Sequence, residues 1–181
     1  MEGDVVVIQS IAELQTKDLR GKIVVTAQKW NGYGQTVKFR RIAGEAAKYG
    51  ASAILVKSVT PFSLYTTHTG AGARGSPIPA ACITPEEADM IMRWSDRGKR
   101  VVINLNITSA ESDELVLSRN LVFEIPGSTL PNEVVLLSAH MDSWDIGQGA
   151  LDDGGGRAAV RAAMLAIKRL AAVDPAFRPK R

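Results

Sequence analysis

The apolar residues fall into short runs separated by turn-rich stretches, and the spacing within each run predicts its structure. Residues 5–8 and 22–27 are apolar, the second run β-branched as well, and both read as strands. Residues 14–21 form a turn-rich connection between them. After a loop at 31–34, the spacing predicts a helix over 36–49. Val37, Ile42, Ala43, Ala46 and Ala47 then share one face, and Gly50 provides a C-terminal stop. Residues 51–56 form another buried strand. This strand–helix–strand order predicts neighbouring strands with a helix across one face.

Residues 61–79 form a long loop with Gly70, Gly72 and Gly75, a length often tied to function. A short strand at 80–83 leads into a marked helix start, Thr84-Pro-Glu-Glu87. Thr84 is the N-cap, Pro85 stands at N1, and Glu87 completes a capping box. That helix runs to about Ser95. Residues 100–107 alternate apolar and polar positions, as a half-exposed strand does. The polar stretch 111–114 is a candidate domain boundary.

Beyond it, residues 118–125 and 133–139 read as strands around a turn at 126–131. The run Val134-Val-Leu-Leu-Ser-Ala139 is almost continuously apolar, as a central strand covered on both faces is. His140 lies just past its C-terminal end, the edge where active sites gather in open α/β sheets. Residues 157–172 are alanine-rich and form a strong helix, ended by Pro175 and Pro179.

Composition changes this picture little. The 181 residues suffice for one ordinary domain or two small ones. With 45% hydrophobic and 23% charged residues the chain is a globular one, and extensive disorder is excluded. The net charge of +3 gives no reason to expect nucleic acid as a partner, because much of the excess sits on the last helix and the tail. Cys82 is the only cysteine, so an internal disulfide and a cysteine zinc site are both excluded; its apolar setting predicts a buried thiol. No apolar run is long enough to span a membrane as a helix, and residues 1–4 do not read as a signal peptide. Asn106-Ile-Thr108 is a glycosylation sequon.

The chemistry concentrates in His140-Met-Asp-Ser-Trp-Asp-Ile-Gly-Gln-Gly-Ala-Leu-Asp-Asp-Gly-Gly-Gly156. A neutral imidazole and a carboxylate are normal zinc ligands. A ligating histidine needs its other ring nitrogen held, usually by a carboxylate, and Asp142 is placed to do this for His140. Asp152 sits in a glycine-rich loop whose backbone can fold closely around an ion. The competing reading is a plain turn, or an anion site at the next helix N-terminus. The nucleotide pattern fails, since Asp152 stands where a third glycine is needed, and adjacent aspartates repel a phosphate. There is no Gly-x-Ser-x-Gly nucleophile elbow.

Residues 136–156 resemble the metal-site segment of the co-catalytic zinc exopeptidases, the family of bacterial aminopeptidases and glutamate carboxypeptidases. Leu19-Arg-Gly-Lys-Ile-Val-Val25 and Ala47-Lys-Tyr-Gly-Ala-Ser-Ala-Ile-Leu-Val56 resemble their protease-associated insert. The resemblance implies an α/β chain in two parts. Residues 1–112 would be a protease-associated-like insert domain, and 113–181 the incomplete start of a zinc-peptidase α/β sandwich.

It also implies His140 as a zinc ligand, Asp152 as a carboxylate bridging two Zn2+ ions, and Asp142 as the catalytic residue that orients His140. Asp153 would complete an Asp-Asp step with a cis-like peptide. The implied reaction is hydrolysis of a terminal bond in a small peptide or dipeptide, by a secreted or lysosomal protein for which a homodimer at full length is a candidate assembly. The family's glutamate base and further ligands lie beyond the match. The chain therefore reads as an internal piece, inactive alone. His68 precedes the motif and reads as a loop histidine in solvent. The alternative is a non-catalytic protease-associated-type binding module carrying a vestigial peptidase stub.

Overall fold

The computed structural model describes residues 1–181 except Leu64, Thr69, Ala73, Arg74, Glu111 and Asp145. The chain divides into two compact units, Met1–Glu111 and Ser112–Arg181.

The first unit is a five-stranded sheet of order β4-β3-β2-β1-β5. The strands are β1 (Glu2–Ile8), β2 (Ile23–Thr26), β3 (Ala53–Lys57), β4 (Ala80–Ile83) and β5 (Val102–Asn104). β1 to β4 run parallel, with Val24 opposite both Val6 and Ile54 and Leu55 opposite Ala81. β5 pairs antiparallel with the far edge of β1.

The two-residue period of a strand sends alternate side chains to opposite faces. Val24, Ile54 and Val56 pack on one face with Ile8, Leu14, Leu19, Ile42 and Ala46. Ile23, Val25, Ala53 and Leu55 pack on the other with Val7 and Ile91. β2 is buried along its whole length, which explains why its sequence is a continuous apolar run rather than an alternation.

Helices cover the faces. The predicted long helix over 36–49 is instead three pieces: α1 (Tyr33–Thr36), a 3-10 stretch (Val37–Arg41) and α2 (Ala43–Lys48). Local chemistry accounts for the break. The Thr36 hydroxyl accepts the Asn31 N–H and donates to the Gly32 carbonyl, which it shares with the Thr36 N–H. Arg40 is turned inward and buried. The predicted stop holds: Gly50 has φ +83, its N–H bonds Ala47, and the Ala51 N–H bonds Ala46, the paired closure of a Schellman motif.

α3 (Pro85–Asp96) starts as its sequence requires. Thr84 Oγ1 accepts the Glu87 N–H at 3.2 Å, and Glu87 Oε2 accepts the Thr84 N–H at 3.0 Å.

Two expectations in this unit need comment. His68 is not a histidine in open solvent: its Nδ1 lies 2.7 Å from Arg40 Nη2, its N–H donates to Ser58 Oγ, and Tyr33 meets its ring edge-on. The buried guanidinium needs acceptors, and the loop histidine supplies them through Nδ1 and its carbonyl. Cys82, expected to be buried, is only partly so: it packs against the edge of the core, and that burial raises its thiol pKa.

The second unit is built differently. Its regular elements among the described residues are α4 (Gly154–Val173) and a 3-10 turn (Pro175–Phe177). Residues 118–125 and 133–139, predicted as strands, join no strand ladder among the described residues. A strand exists only as part of a ladder. The apolar side chains of Val134, Val135, Leu136 and Leu137 accordingly stay exposed.

Candidate functional site

The chemistry-bearing residues of the second unit gather where the glycine-rich turn opens α4. Asp153 is the N-cap. Its Oδ1 accepts the Gly156 N–H at 3.1 Å, satisfying one of the four donors that a helix start leaves open. Its Oδ2 accepts the His140 backbone N–H at 3.1 Å. One carboxylate thus ties the start of α4 to His140. The turn is closed by Gly154 N–H to the Gly149 carbonyl at 2.8 Å. Its tightness explains two glycines. A Cβ on Gly156 would collide with the Asp153 carboxylate, and Gly149 has φ +65 with Ser143 packed where its Cβ would stand. The Asp152–Asp153 peptide is cis.

The His140 imidazole lies between two carboxylates. Asp142 Oδ1 stands 2.9 Å from Nδ1, and the Asp142 carbonyl 3.0 Å from the same nitrogen. Asp152 Oδ1 stands 2.8 Å from Nε2. Asp153 Oδ2 is farther from Nε2, at 3.9 Å. The hydrogen bond to Asp152 is the largest cause of a raised His140 pKa; Asp142 adds to it, and desolvation opposes it. With acceptors at both nitrogens, the imidazolium is the form that satisfies both bonds. The group is open to solvent: the His140 side chain is half exposed, and Asp142 and Asp152 more so.

The donor chemistry bears on whether this arrangement suits a metal. Imidazole Nε2 and a carboxylate oxygen are both donors that zinc accepts, and they converge here. Asp142 occupies the opposite ring nitrogen, the usual place for a carboxylate that orients a ligating histidine. The donor number falls short. Among the described residues, no group of three or more His, Cys, Asp or Glu side chains is placed to hold an ion, whereas zinc sites use three or four protein ligands. The fit is that of two donors, His140 and Asp152, with Asp142 behind them.

The structure thus brings together the residues singled out in the sequence, His140, Asp142 and Asp152. His140 does not follow a strand end, since residues 133–139 form no ladder; the Asp153 clasp holds it instead. Reading the sequence missed this double role of Asp153. The signal for half of it was present: an aspartate three residues before Gly156, at the start of a helical run, is the N-cap spacing. The bond to His140 spans 13 positions and has no local signature.

Residues 120–179 match Peptidase family M28. Over 98% of its length the chain is 47% identical to carboxypeptidase Q from Mus musculus, and 46% identical to carboxypeptidase Q from Homo sapiens. It spans 38% of the length of each of these relatives. The crystal structure of a peptidase M28 precursor from Shewanella amazonensis superposes on 85% of this chain with a TM-score of 0.73 and 35% identity, over 38% of that protein. The chain is thus related to the carboxypeptidase Q proteins, and the segment that carries His140, Asp142, Asp152 and Asp153 is a match to peptidase family M28.

Proposed function

We propose that this chain supplies the opening ligands of a zinc-dependent exopeptidase site that cleaves small peptides or dipeptides. The observation that carries the reading is the arrangement of His140, with Asp142 at 2.9 Å from one ring nitrogen and Asp152 at 2.8 Å from the other. Its relatives' name, carboxypeptidase Q, supports the reaction class.

In this reading Asp142 accepts the Nδ1 proton and keeps His140 in the tautomer whose Nε2 lone pair is free to ligate. Asp152 contributes a carboxylate oxygen beside that nitrogen and has a second oxygen available for bridging. Asp153 acts on position: it fixes the His140 backbone and the start of α4 at once. When bound, zinc would lower the pKa of a coordinated water and polarise the peptide carbonyl. The remaining ligands and the general base lie outside these residues, so the 181-residue chain alone is inactive.

The first unit is, in the same reading, a protease-associated-type insert. The protein acts in a secreted or lysosomal compartment, where the exposed Asn106 would be open to glycosylation.

The test is zinc stoichiometry together with dipeptide hydrolysis, measured on this chain and on a chain extended to the length of its relatives. The expected result is weak zinc binding without turnover for the short chain, and turnover for the long one. Absence of turnover in the long chain overturns the enzyme reading. Turnover by the short chain overturns the requirement for further residues.

A further inference from the structure

A second place with the makings of a binding site lies wholly within the first unit. A cleft of about 300 Å³ is lined by Gln28, Trp30, Lys57, Phe62, Glu86 and Asp89. That volume falls at the low end of small-ligand pockets. Its position follows from the topology. Gln28 lies two residues past β2, Lys57 is the last residue of β3, and Glu86 and Asp89 stand in the first turns of α3, just past β4. The cleft therefore sits at the carboxyl edge of three parallel strands, where open α/β sheets bind ligands.

Two of its residues carry buried acceptors that no described residue satisfies. Gln28 is 3% exposed. Its Nε2 donates to the Lys57 carbonyl at 2.9 Å, which fixes the amide orientation, and its Oε1 has no partner among the described residues. Glu86 Oε1 accepts the Tyr65 N–H at 3.3 Å, and its Oε2, also buried, has no partner among the described residues. Unsatisfied buried oxygens are rare and costly, and a carboxylate oxygen more so than an amide. Both are acceptors, so what completes them is a donor. Lys57 bonds neither oxygen; its Nζ lies 2.6 Å from Asp89 Oδ1. With Glu86 and Asp89 against Lys57, the cleft carries one net negative charge. Trp30 and Phe62 line it while remaining 40% and 79% exposed, so they offer aromatic surface that a ligand would cover.

We propose that this cleft binds a primary ammonium group carried on an aromatic or apolar body. The ammonium donates to Glu86 Oε2 and Gln28 Oε1, and the body packs on Trp30 and Phe62, whose rings also attract a cation. This goes beyond the peptidase reading and does not depend on it, because the cleft lies in Met1–Glu111 and its readout is binding without turnover.

The probe is 2-phenylethylamine, titrated into the 15N-labelled 181-residue chain and followed by heteronuclear NMR and calorimetry. The expected result is saturable shifts of the Trp30 indole and Gln28 side-chain amide signals, with those of residues 140–156 unmoved. N-acetyl-2-phenylethylamine, which lacks the charge, should bind at least about tenfold more weakly. The Glu86→Gln variant, nearly isosteric, should weaken 2-phenylethylamine by about tenfold or more, as loss of a charged hydrogen bond does. Trp30→Leu, on the opposite kind of contact, should weaken it to a smaller degree. Equal binding of the acetylated probe, an unchanged affinity in Glu86→Gln with a native spectrum, or shifts confined to residues 140–156 would each overturn the proposal.

Discussion

The two units contain the same kind of apolar run and treat it in opposite ways. Ile23-Val-Val25 and Ala53-Ile-Leu-Val56 in the first unit are buried almost completely, with ladder partners on both sides. Val134-Val-Leu-Leu137 in the second has comparable hydrophobicity and β-branching, yet it pairs with nothing among the described residues, and Leu136 is 78% exposed. Hydrophobicity supplies the drive toward burial, but a ladder needs a neighbour with free N–H and C=O groups in register. What differs is what each run meets. The first unit brings four parallel strands and two covering layers to one sheet. The second organises itself around one helix and the turn that starts it.

The sharpest way to break this comparison is to truncate one residue of each run. Ile54→Ala should destabilise the first unit by about 2–5 kcal/mol, since it opens a cavity between β2, β4 and α2. Leu136→Ala should change stability by less than about 0.5 kcal/mol. Denaturant unfolding followed by circular dichroism measures both; equal losses would mean that Leu136 is buried in solution.

Next in size is the histidine clasp. Asp142→Ala should weaken zinc binding to the chain about 10–100-fold, as removal of a carboxylate behind a ligating histidine does. The melting of the first unit should not move. Competition against a chromogenic chelator reads the first quantity and thermal melting the second; a shift in both would show that the two regions are coupled.

A smaller effect compares the two helix starts. Thr84→Ala should cost about 1 kcal/mol, through loss of the Glu87 N–H bond and of the capping box. The same loss at α4, by Asp153→Ala, should move the His140 signals as well, because that carboxylate also holds the His140 backbone.

The smallest concerns pH. Burial is the largest cause that lowers the His68 pKa, and the Arg40 charge adds to it. The unfolded chain therefore binds the proton more readily than the folded one. The neutral form contributes stability that is fully present above the ordinary histidine pKa of about 6.5 and is lost as pH falls through the lowered value. Thermal melts between pH 7.5 and 5 should show this loss, and His68→Asn, which keeps an acceptor towards Arg40 without titrating, should flatten it. An unchanged slope would remove His68 as its source.

Much of the first unit was legible in the sequence. β4 was read at its observed limits, α3 at its capped start, and the end of α2 at Gly50, because each depends on residues a few positions apart. The helix over 36–49 was misread. Its apolar spacing was sound, but the Thr36 hydroxyl bonded the Gly32 carbonyl and Arg40 turned inward to meet His68. Neither event shows in a periodicity. At the candidate site, the residue types and the spacing of His140, Asp142 and Asp152 were readable. The double grip of Asp153 was not, since half of it reaches across 13 positions. The cleft beside Gln28 was invisible as well, because its lining comes from three separate strand ends and an orphaned oxygen exists only in three dimensions.

By itself the sequence determined α3 with its capping box, the end of α2 at Gly50, the candidate strands, and the segment in which the imidazole and carboxylates lie. Those features rest on hydrogen bonds and side-chain periods that span a turn or two. Only the tertiary structure decided which apolar runs became strands, which buried charge His68 answers, and which oxygens stand at each nitrogen of His140. Those outcomes depend on groups far apart in the chain, and a distance in space between them has no counterpart in their order along it.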